Sequence, residues 1–296
     1  MKKLAFLILL GITSVSQAQT ESDGIRMSKG AFCGGLTYTY SSWSNYWEGT
    51  FRRDNDNIGR VTTSAFSIMG AWGLLDHLNV VFSLPYIATH SSAGTLMGQH
   101  GIQDFSLFLK WLAYMRPGDI SNFQIYGVMG GSTPLNSYAA DFMPMSIGLK
   151  SSSVNARLIG DYQVRHFFIT ASGNFIYRFN IRIDRTAYFT DRMIYSNEVF
   201  MPNVFSSELG TGFRNGDLIF EGVIDTWNTL GGFDIRKNDM PFPSNRMNMI
   251  RTGVNLKIPV EKIGGLSFVA NSFYTIRGRN VGQALSGTLG VFYIFN

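Results

Sequence analysis

The sequence predicts an all-β fold, a transmembrane antiparallel up-and-down β-barrel of about 12 strands. Long stretches alternate apolar with polar residues, and the connections between them alternate between short and long. Only 15% of the 296 residues are charged, while 45% are hydrophobic; an ordinary soluble domain carries about 25% charged residues. This composition excludes a disordered chain. A helical membrane protein is also excluded, because no stretch beyond the N-terminus has the roughly 18 unbroken apolar residues of a spanning helix.

The N-terminus has the features of a secretory signal peptide. Lys2 and Lys3 precede a short apolar stretch that ends at Ser16-Gln17-Ala18, a cleavage site of small residues. We therefore expect residues 1–18 to be cleaved and residues 19–296 to form the barrel. Loss of Lys2 and Lys3 lowers the formal net charge of +5 by two positive charges. So small a positive excess does not indicate a nucleic-acid partner.

The alternating stretches separate an apolar face from a polar one. Between Val154 and Arg165 the polar side chains occupy odd positions, interrupted only by Ile159, and the stretch 285–295 alternates in the same way. A soluble sandwich would alternate too. Strands in soluble proteins average about 5–6 residues, whereas these stretches reach roughly 10, the length that a tilted strand needs to cross a bilayer. Strand length therefore favours the membrane barrel.

The spacing of the connections predicts the number of strands. Five tight turns and six longer polar loops make eleven connections, so about 12 strands result, with both termini on the side of the tight turns. Bacterial outer-membrane barrels have this arrangement. The tight turns are predicted at 75–77, 116–119, 165–166, 215–217 and 261–265, and the loops near 41–57, 89–101, 133–152, 183–198, 229–245 and 278–282.

Aromatic residues cluster where the strands would meet the two membrane interfaces, as barrel girdles do. One cluster contains Tyr38, Tyr40, Trp43, Tyr46 and Trp47, and the other contains Trp72, Trp111, Tyr114, Phe292 and Tyr293. The last strand ends in Tyr293-Ile294-Phe295, which resembles the aromatic-ended signal for outer-membrane insertion. We expect the outer membrane of a Gram-negative bacterium as the location, with outer-membrane lipid and the barrel-insertion machinery as partners.

Several short sequence motifs lie between about residue 60 and residue 180. They include Gly73-Leu74-Leu75-Asp76, Leu84-Pro85-Tyr86, Gly101-Ile102-Gln103-Asp104 with Lys110, and Gly131-Ser132-Thr133-Pro134. This pattern resembles the outer-membrane proteins named after the meta-cleavage pathway of phenol degradation. The resemblance implies a passive channel or transporter for small hydrophobic or aromatic compounds. Larger channels for hydrophobic compounds carry an N-terminal plug; since only about a dozen residues precede the first strand, we expect no comparable plug here.

Strand parity predicts which polar side chains line the lumen. A basic side chain that faces lipid at mid-membrane costs about 2–4 kcal/mol, so the charged residues of the strands are expected inside. Their mixed signs leave two interpretations open, ion pairs that brace a narrow barrel and a path for a small solute. The lining is predicted to contain Asp104, Lys110, Arg157, Asp161, Arg178, Glu208, Glu221, Asp225 and Arg251, together with Arg165, Arg182 and Lys257.

Apolar side chains are expected among these charges, and one proline is expected to interrupt a strand. The apolar set is Phe66, Ile68, Phe108, Leu112, Tyr126, Phe168, Ile176, Trp227 and Phe273. Pro85 has no backbone N–H to give to a ladder, so it predicts a bulge or a strand break. In larger channels for hydrophobic compounds such a break opens a lateral exit towards lipid.

Two further functions stay open besides a channel. A barrel without transport could bind a surface partner through the loop 41–57, which contains Trp43, Arg52 and Arg53. An outer-membrane lipid hydrolase is the third choice. His77, His90, His100 and His166 do not form the base, nucleophile and orienting group of acyl transfer, and no His or Cys pair has a ligand spacing for a metal. We expect no enzyme activity, no cofactor and no metal.

Overall fold

Twelve long strands close into one antiparallel up-and-down barrel, which confirms the predicted fold class. The computed structural model describes residues 20–237 and 239–295, so the predicted signal peptide lies outside the described residues. Each long strand pairs with its chain neighbours, and the first strand pairs with the last. Among the described residues, no helix has the length and apolar character needed to cross a membrane.

The barrel strands are numbered in chain order. They are β1 (Phe32–Trp43), β2 (Val61–Leu75), β3 (Leu78–Ser91), β4 (Asp104–Pro117), β5 (Ser121–Pro134), β6 (Ser153–Val164), β7 (Phe167–Arg178), β8 (Val204–Asn215), β9 (Leu218–Thr229), β10 (Asn248–Pro259), β11 (Leu266–Arg279) and β12 (Leu285–Phe295). Most of them have 12 or 14 residues.

The two ends of the barrel differ as the sequence predicts. Five tight turns join the strands at one end, here called the turn end, and six longer connections cross the other, the loop end. Two-residue hairpins need a positive φ that matches the strand twist; Gly216 supplies it with φ 56° and Arg165 with φ 52°. Short strands inside the loops occupy Asn45–Glu48, Phe51–Asp54, His100–Ile102, Ile181–Arg182, Tyr188–Phe189, Met193–Ile194 and Glu198–Val199.

The outer face of the barrel is an apolar belt. Leu36, Leu158 and Leu289 point outwards and are exposed, with 63% of the surface of Leu158 accessible. Tyr38, Tyr40, Trp72, Trp111 and Tyr293 are also exposed on this face. An apolar belt with aromatic residues towards its ends is the surface that outer-membrane barrels present to lipid.

Several predicted orientations are wrong, because neighbouring strands determine the face of a residue. Phe66 and Ile68 pair directly with Tyr38 and Leu36 of β1, so they face outwards with them and not into the lumen. Phe292 lies on the inner parity of β12 and is buried instead of joining the girdle.

Two other aromatic residues near the strand ends have orientations that simple alternation does not give. Trp47 is buried in the loop at residues 44–60. A register shift between Leu112 and Tyr114 turns Tyr114 outwards, against the parity of Lys110.

Pro85 does not break its strand. It lies inside the continuous strand β3 and pairs with Ser67 of β2 without a register shift. The interruption falls on the neighbouring side, where β4 pairs with β3 only up to Ser106, and the ladder resumes at Ile102. At this point the Gln103 N–H donates to the Pro85 carbonyl over 2.9 Å. The absent N–H of Pro85 thus coincides with a gap in the ladder, and no lateral opening follows from it.

We predict that L158R destabilises the barrel in a lipid bilayer by about 2–4 kcal/mol, the cost of an arginine at the lipid-facing midplane. Leu158 lies midway along β6 on the outer face. Denaturant titration of the barrel folded into vesicles measures the free energy of unfolding. M97R is the matched control, because Met97 is exposed in a loop. Equal stabilities of the two variants would contradict an outer face in contact with lipid.

Candidate functional site in the lumen

The segment before β1 runs inside the barrel. Residues 20–31 enter the lumen at the turn end, where the Arg26 guanidinium donates to the Asp76 carbonyl over 2.7 Å. Met27 is fully buried in an apolar cluster with inward-facing residues of several strands. Its carbonyl accepts a hydrogen bond of 3.0 Å from the amide of Asn79. Further along, Ile25 packs against Phe168 and Ile219 from the opposite side of the barrel. The segment therefore bridges the lumen.

Lys110 holds the far end of this segment. Its ammonium donates to the Thr20 carbonyl over 3.0 Å, to the Asp23 carbonyl over 2.6 Å and to an Asp23 carboxylate oxygen over 2.7 Å. The Lys110 side chain is 0% exposed. An ammonium has three donors, so its burial is compensated by one ion pair and two carbonyls. The Tyr126 hydroxyl adds a hydrogen bond of 3.3 Å to the Gly24 carbonyl.

No plug comparable to that of the larger channels was expected, yet residues 20–31 form a short plug inside the lumen. About a dozen extended residues reach roughly 40 Å, which is enough to enter a narrow barrel and cross part of its lumen. Gly24 shows how close the contact is, since a Cβ at this position would overlap the Asp161 carboxylate. A plug of this size needs no separate domain.

A second buried ion pair joins Asp161 to Arg214. The guanidinium donates to both carboxylate oxygens of Asp161 over 3.2 Å each, and the side chains are 3% and 8% exposed. The Thr170 hydroxyl donates to the same carboxylate over 2.6 Å. The Arg214 guanidinium also lies 4.1 Å from the ring centroid of Phe168. This pair braces the neighbouring strands β6, β7 and β8 on the inner face of the barrel wall.

Three further acidic side chains of the predicted lining, Glu208, Glu221 and Asp225, lie on β8 and β9. Arg251 forms a bidentate pair with Asp225, with distances of 2.9 and 2.8 Å. Glu221 accepts a hydrogen bond of 2.9 Å from the Asn255 amide. Glu208 stands in register with Asp225.

Asp104, Arg157 and Arg178 complete the predicted set, and all three line one cavity near the loop end. The structure thus directs these nine of the twelve predicted charged side chains into the lumen. Their role as a solute path stays a prediction.

Other residues correct or extend the predicted lining. Arg165 is exposed in a turn and Arg182 in a loop, so neither lies in the lumen. Lys257 is inside and pairs with Asp217 over 3.4 Å. Sequence reasoning missed Asp23 and Arg214. Arg214 shares the parity of Glu208 in β8, a signal that the adjacent tight turn obscured; no periodicity marks Asp23, because it precedes the strands.

The lumen contains two cavities. The loop-side cavity has a volume of about 480 Å³ and is lined mainly by hydroxyl, amide and charged side chains near the loop end. The turn-side cavity has about 470 Å³ and includes Met69, Phe168 and Phe273 beside polar groups. Ser22 and Glu208 line both cavities. The N-terminal segment therefore forms part of the boundary at which the two cavities meet.

Three outer loops cover part of the loop end. The loops at 135–152, 179–203 and 230–247 share an apolar cluster of Ala140, Ile181, Ile183, Tyr188, Val199 and Met201, with Leu149 and Phe242 packed against it. Below it, the Tyr138 hydroxyl donates to Asp104 over 2.9 Å. Burial, followed by the charge of Asp104, raises the pKa of Tyr138. Two hydrogen bonds from the Arg279 guanidinium to the Asp234 carboxylate fix the last of these loops to the end of β11. The same hydrogen bonds lower the pKa of Asp234.

The four histidines occupy separate places. His77 and His166 lie in tight turns at the turn end, and His90 lies near the end of β3. His100 forms a hydrogen bond of 2.9 Å between its Nδ1 and the exposed Tyr86 hydroxyl. Within residues 20–237 and 239–295, no group of three or more His, Cys, Asp or Glu side chains is placed to hold a metal ion.

No protein-family model matches this sequence, and no curated protein does. Among solved structures, an outer membrane channel from Pseudomonas putida F1 is similar with a TM-score of 0.72 and 13% identity, over 91% of this chain and 97% of that chain. The translocator domain of the autotransporter NalP from Neisseria meningitidis has a TM-score of 0.49 and 14% identity, over 89% and 88% of the two chains. OprD from Pseudomonas aeruginosa has a TM-score of 0.39 and 10% identity, over 90% and 97%. The first of these likenesses shows a shared barrel fold.

We predict that D161N lowers the free energy of unfolding by about 3–5 kcal/mol, because it leaves the Arg214 guanidinium buried without a carboxylate. The double variant D161N/R214Q should recover a large part of this loss. Denaturant unfolding of wild type, both single variants and the double variant forms the cycle that measures the coupling. Additive effects of the two substitutions would show that the pair does not brace the barrel.

We also predict that K110M frees the N-terminal segment, because Asp23 then loses its cationic partner inside the lumen. Protease cleavage within residues 20–31 should become faster, and the single-channel conductance should rise. K262M is the matched control, since Lys262 is exposed in a turn. Unchanged proteolysis and conductance in K110M would show that this contact does not hold the segment.

Proposed function

We propose that this protein is an outer-membrane channel through which small hydrophobic or aromatic molecules pass without an energy source. The observation that carries the proposal is the polar and apolar lining of two lumen cavities that meet at Ser22 and Glu208 inside a closed barrel. A barrel braced only by ion pairs would need no space of this size. Ligand pockets commonly measure about 300–1,000 Å³, so each cavity has room for a small molecule.

The apolar belt supports a location in the outer membrane with lipid as its partner. Exposed leucines and aromatic rings surround the barrel, and such a surface is unfavourable in water. The similar protein of Pseudomonas putida F1 is itself an outer membrane channel, which agrees with this location. The exposed side chains Tyr293 and Phe295 at the end of β12 support recognition of the C-terminal strand by the insertion machinery. Export would follow cleavage of the predicted signal peptide.

The chemistry of the lining favours solutes that combine an apolar part with a polar group. In the turn-side cavity, Phe168, Phe273 and Phe292 lie near Glu221 and Asn255. In the loop-side cavity, Trp227 and Ile176 stand among serines and arginines. The motif resemblance to the family named after phenol degradation points in the same direction. Segment 20–31 narrows the path, so the solute must be small or the segment must shift.

The surface-binding alternative has weaker support. The loop at 44–60 forms a hairpin whose charged residues are already in contact, with Arg53 paired to Glu48 and Arg52 donating to Gln283. Phe51 remains 64% exposed on this hairpin. The lipid-hydrolase alternative would need a histidine beside a serine nucleophile, and His100 instead contacts Tyr86.

Liposome swelling tests the channel. Vesicles that contain the pure protein should swell in arabinose and much less in the larger raffinose. They should swell faster in phenylalanine than in glutamine, since only the first carries an aromatic ring. Vesicles without protein are the baseline, and a variant lacking residues 45–54 should swell normally because that hairpin lies in a loop. Failure to admit any of these solutes would contradict the proposal, and loss of swelling in the hairpin deletion would favour a function of the loop.

A further inference from the structure

Two of the lumen arginines form no ion pair with a carboxylate of the residues that the structure describes. The described strands direct six basic side chains inwards, and four of them form ion pairs: Lys110 with Asp23, Arg214 with Asp161, Arg251 with Asp225 and Lys257 with Asp217. Among the described residues, neither the Arg157 nor the Arg178 guanidinium takes part in an ion pair or a hydrogen bond, whereas the backbone N–H of Arg178 donates to the Asn203 side chain over 3.1 Å. Both line the loop-side cavity.

Arg178 is the less expected of the two, because its charge is buried. The residue is 8% exposed, and its Nε has no hydrogen-bond acceptor. A buried guanidinium normally requires a carboxylate or several carbonyl oxygens, since an unsatisfied buried charge costs free energy. Replacement by an uncharged residue would remove this cost. The unpaired cation therefore suggests an acceptor that is not part of the chain.

The surroundings of Arg178 and Arg157 suit an oxyanion. Arg178 stands opposite Ser153 on β6, whose hydroxyl lies 2.9 Å from that of Ser132. Arg157 stands opposite Asn174, a residue 3% exposed whose amide oxygen has no partner. The NH₂ group of this amide is a hydrogen-bond donor on a residue that lines the cavity. The cavity wall thus offers two guanidinium groups, an amide and hydroxyls.

The acidic groups of the same cavity limit the charge of the ligand. Asp225 is neutralised by Arg251, and Asp104 accepts a hydrogen bond from Tyr138. Glu208 interacts electrostatically with Arg157 and, with Glu21, lines the inner part of the cavity. Arg178 lies six residues along β7 from Ser172, the partner of Glu208, which is roughly 20 Å along a strand. A singly charged anion near Arg178 avoids these carboxylates.

We propose that the loop-side cavity binds the carboxylate of a small organic acid, with Arg178 as its main cationic partner and Arg157 as the second. The apolar part of the acid would lie against Ile176 and Trp227, which line the same cavity. This inference rests on the proposed function, because the acid has to reach the cavity through the lumen.

Calorimetric titration of the full chain in a non-ionic detergent tests the site with benzoate as the probe. Benzamide has nearly the same shape without the charge. Wild type should bind benzoate at least tenfold more tightly than benzamide, and R178Q should lose about tenfold to a hundredfold in benzoate affinity, the range for a hydrogen bond to a charged group. R157Q should lose less. R182Q is the control, because it removes the same charge from an exposed loop residue.

Equal binding of benzoate and benzamide by wild type, or no binding of benzoate, would overturn the proposal, as would an unchanged affinity in R178Q/R157Q. An equal loss in R182Q would show a general charge effect and would also overturn it. The wild-type comparison does not depend on the folding of any variant. Carboxylate preference in detergent without liposome swelling would contradict the channel alone. Swelling without carboxylate preference would contradict the anion site alone.

Discussion

Closure of the backbone ladder is the constraint on which the rest of the structure depends. An open sheet edge cannot remain in hydrocarbon, because each unpaired N–H or C=O costs several kcal/mol. Pairing of β1 with β12 removes both edges. Once the sheet is closed, every strand has one face towards the lumen and one towards the surroundings. The belt that includes Leu36, Leu158 and Leu289 and the enclosed charges are then two consequences of one closure.

Because the lumen is enclosed, its charged side chains have to pack against partners inside the barrel. In a twelve-stranded barrel the interior is narrow, so each buried charge needs a partner within reach. Asp161 and Arg214 meet across neighbouring strands, while Lys110 finds its partner in the segment before β1. Buried ion pairs therefore both join neighbouring strands and hold the N-terminal segment in the lumen. Arg178 departs from this rule, and this departure makes the loop-side cavity chemically distinct from the rest of the lumen.

Access to the lumen is limited at both ends by different means. At the turn end, residues 20–31 occupy the lumen. Within this segment, Met27 packs in an apolar cluster and Asp23 accepts a hydrogen bond from Lys110. At the loop end, three loops share a core around Val199 and Met201. Between them the two cavities hold a volume suited to small molecules. In the channel proposed above, the N-terminal segment and the loops, rather than the ladder, would decide which solutes can move.

The sequence alone determined the strand number, the positions of turns and loops and the inward direction of ten of the twelve charged side chains predicted inside, because alternation with a period of two is a local property of each strand. It could not assign Phe66, Phe292 or Tyr114, whose faces depend on register and on a bulge between strands. The partners of Lys110 and Arg214 also came only from the tertiary structure, since barrel closure brings distant residues together. The N-terminal segment has no periodic signal, and its place in the lumen is decided by contacts with strands from all sides of the barrel.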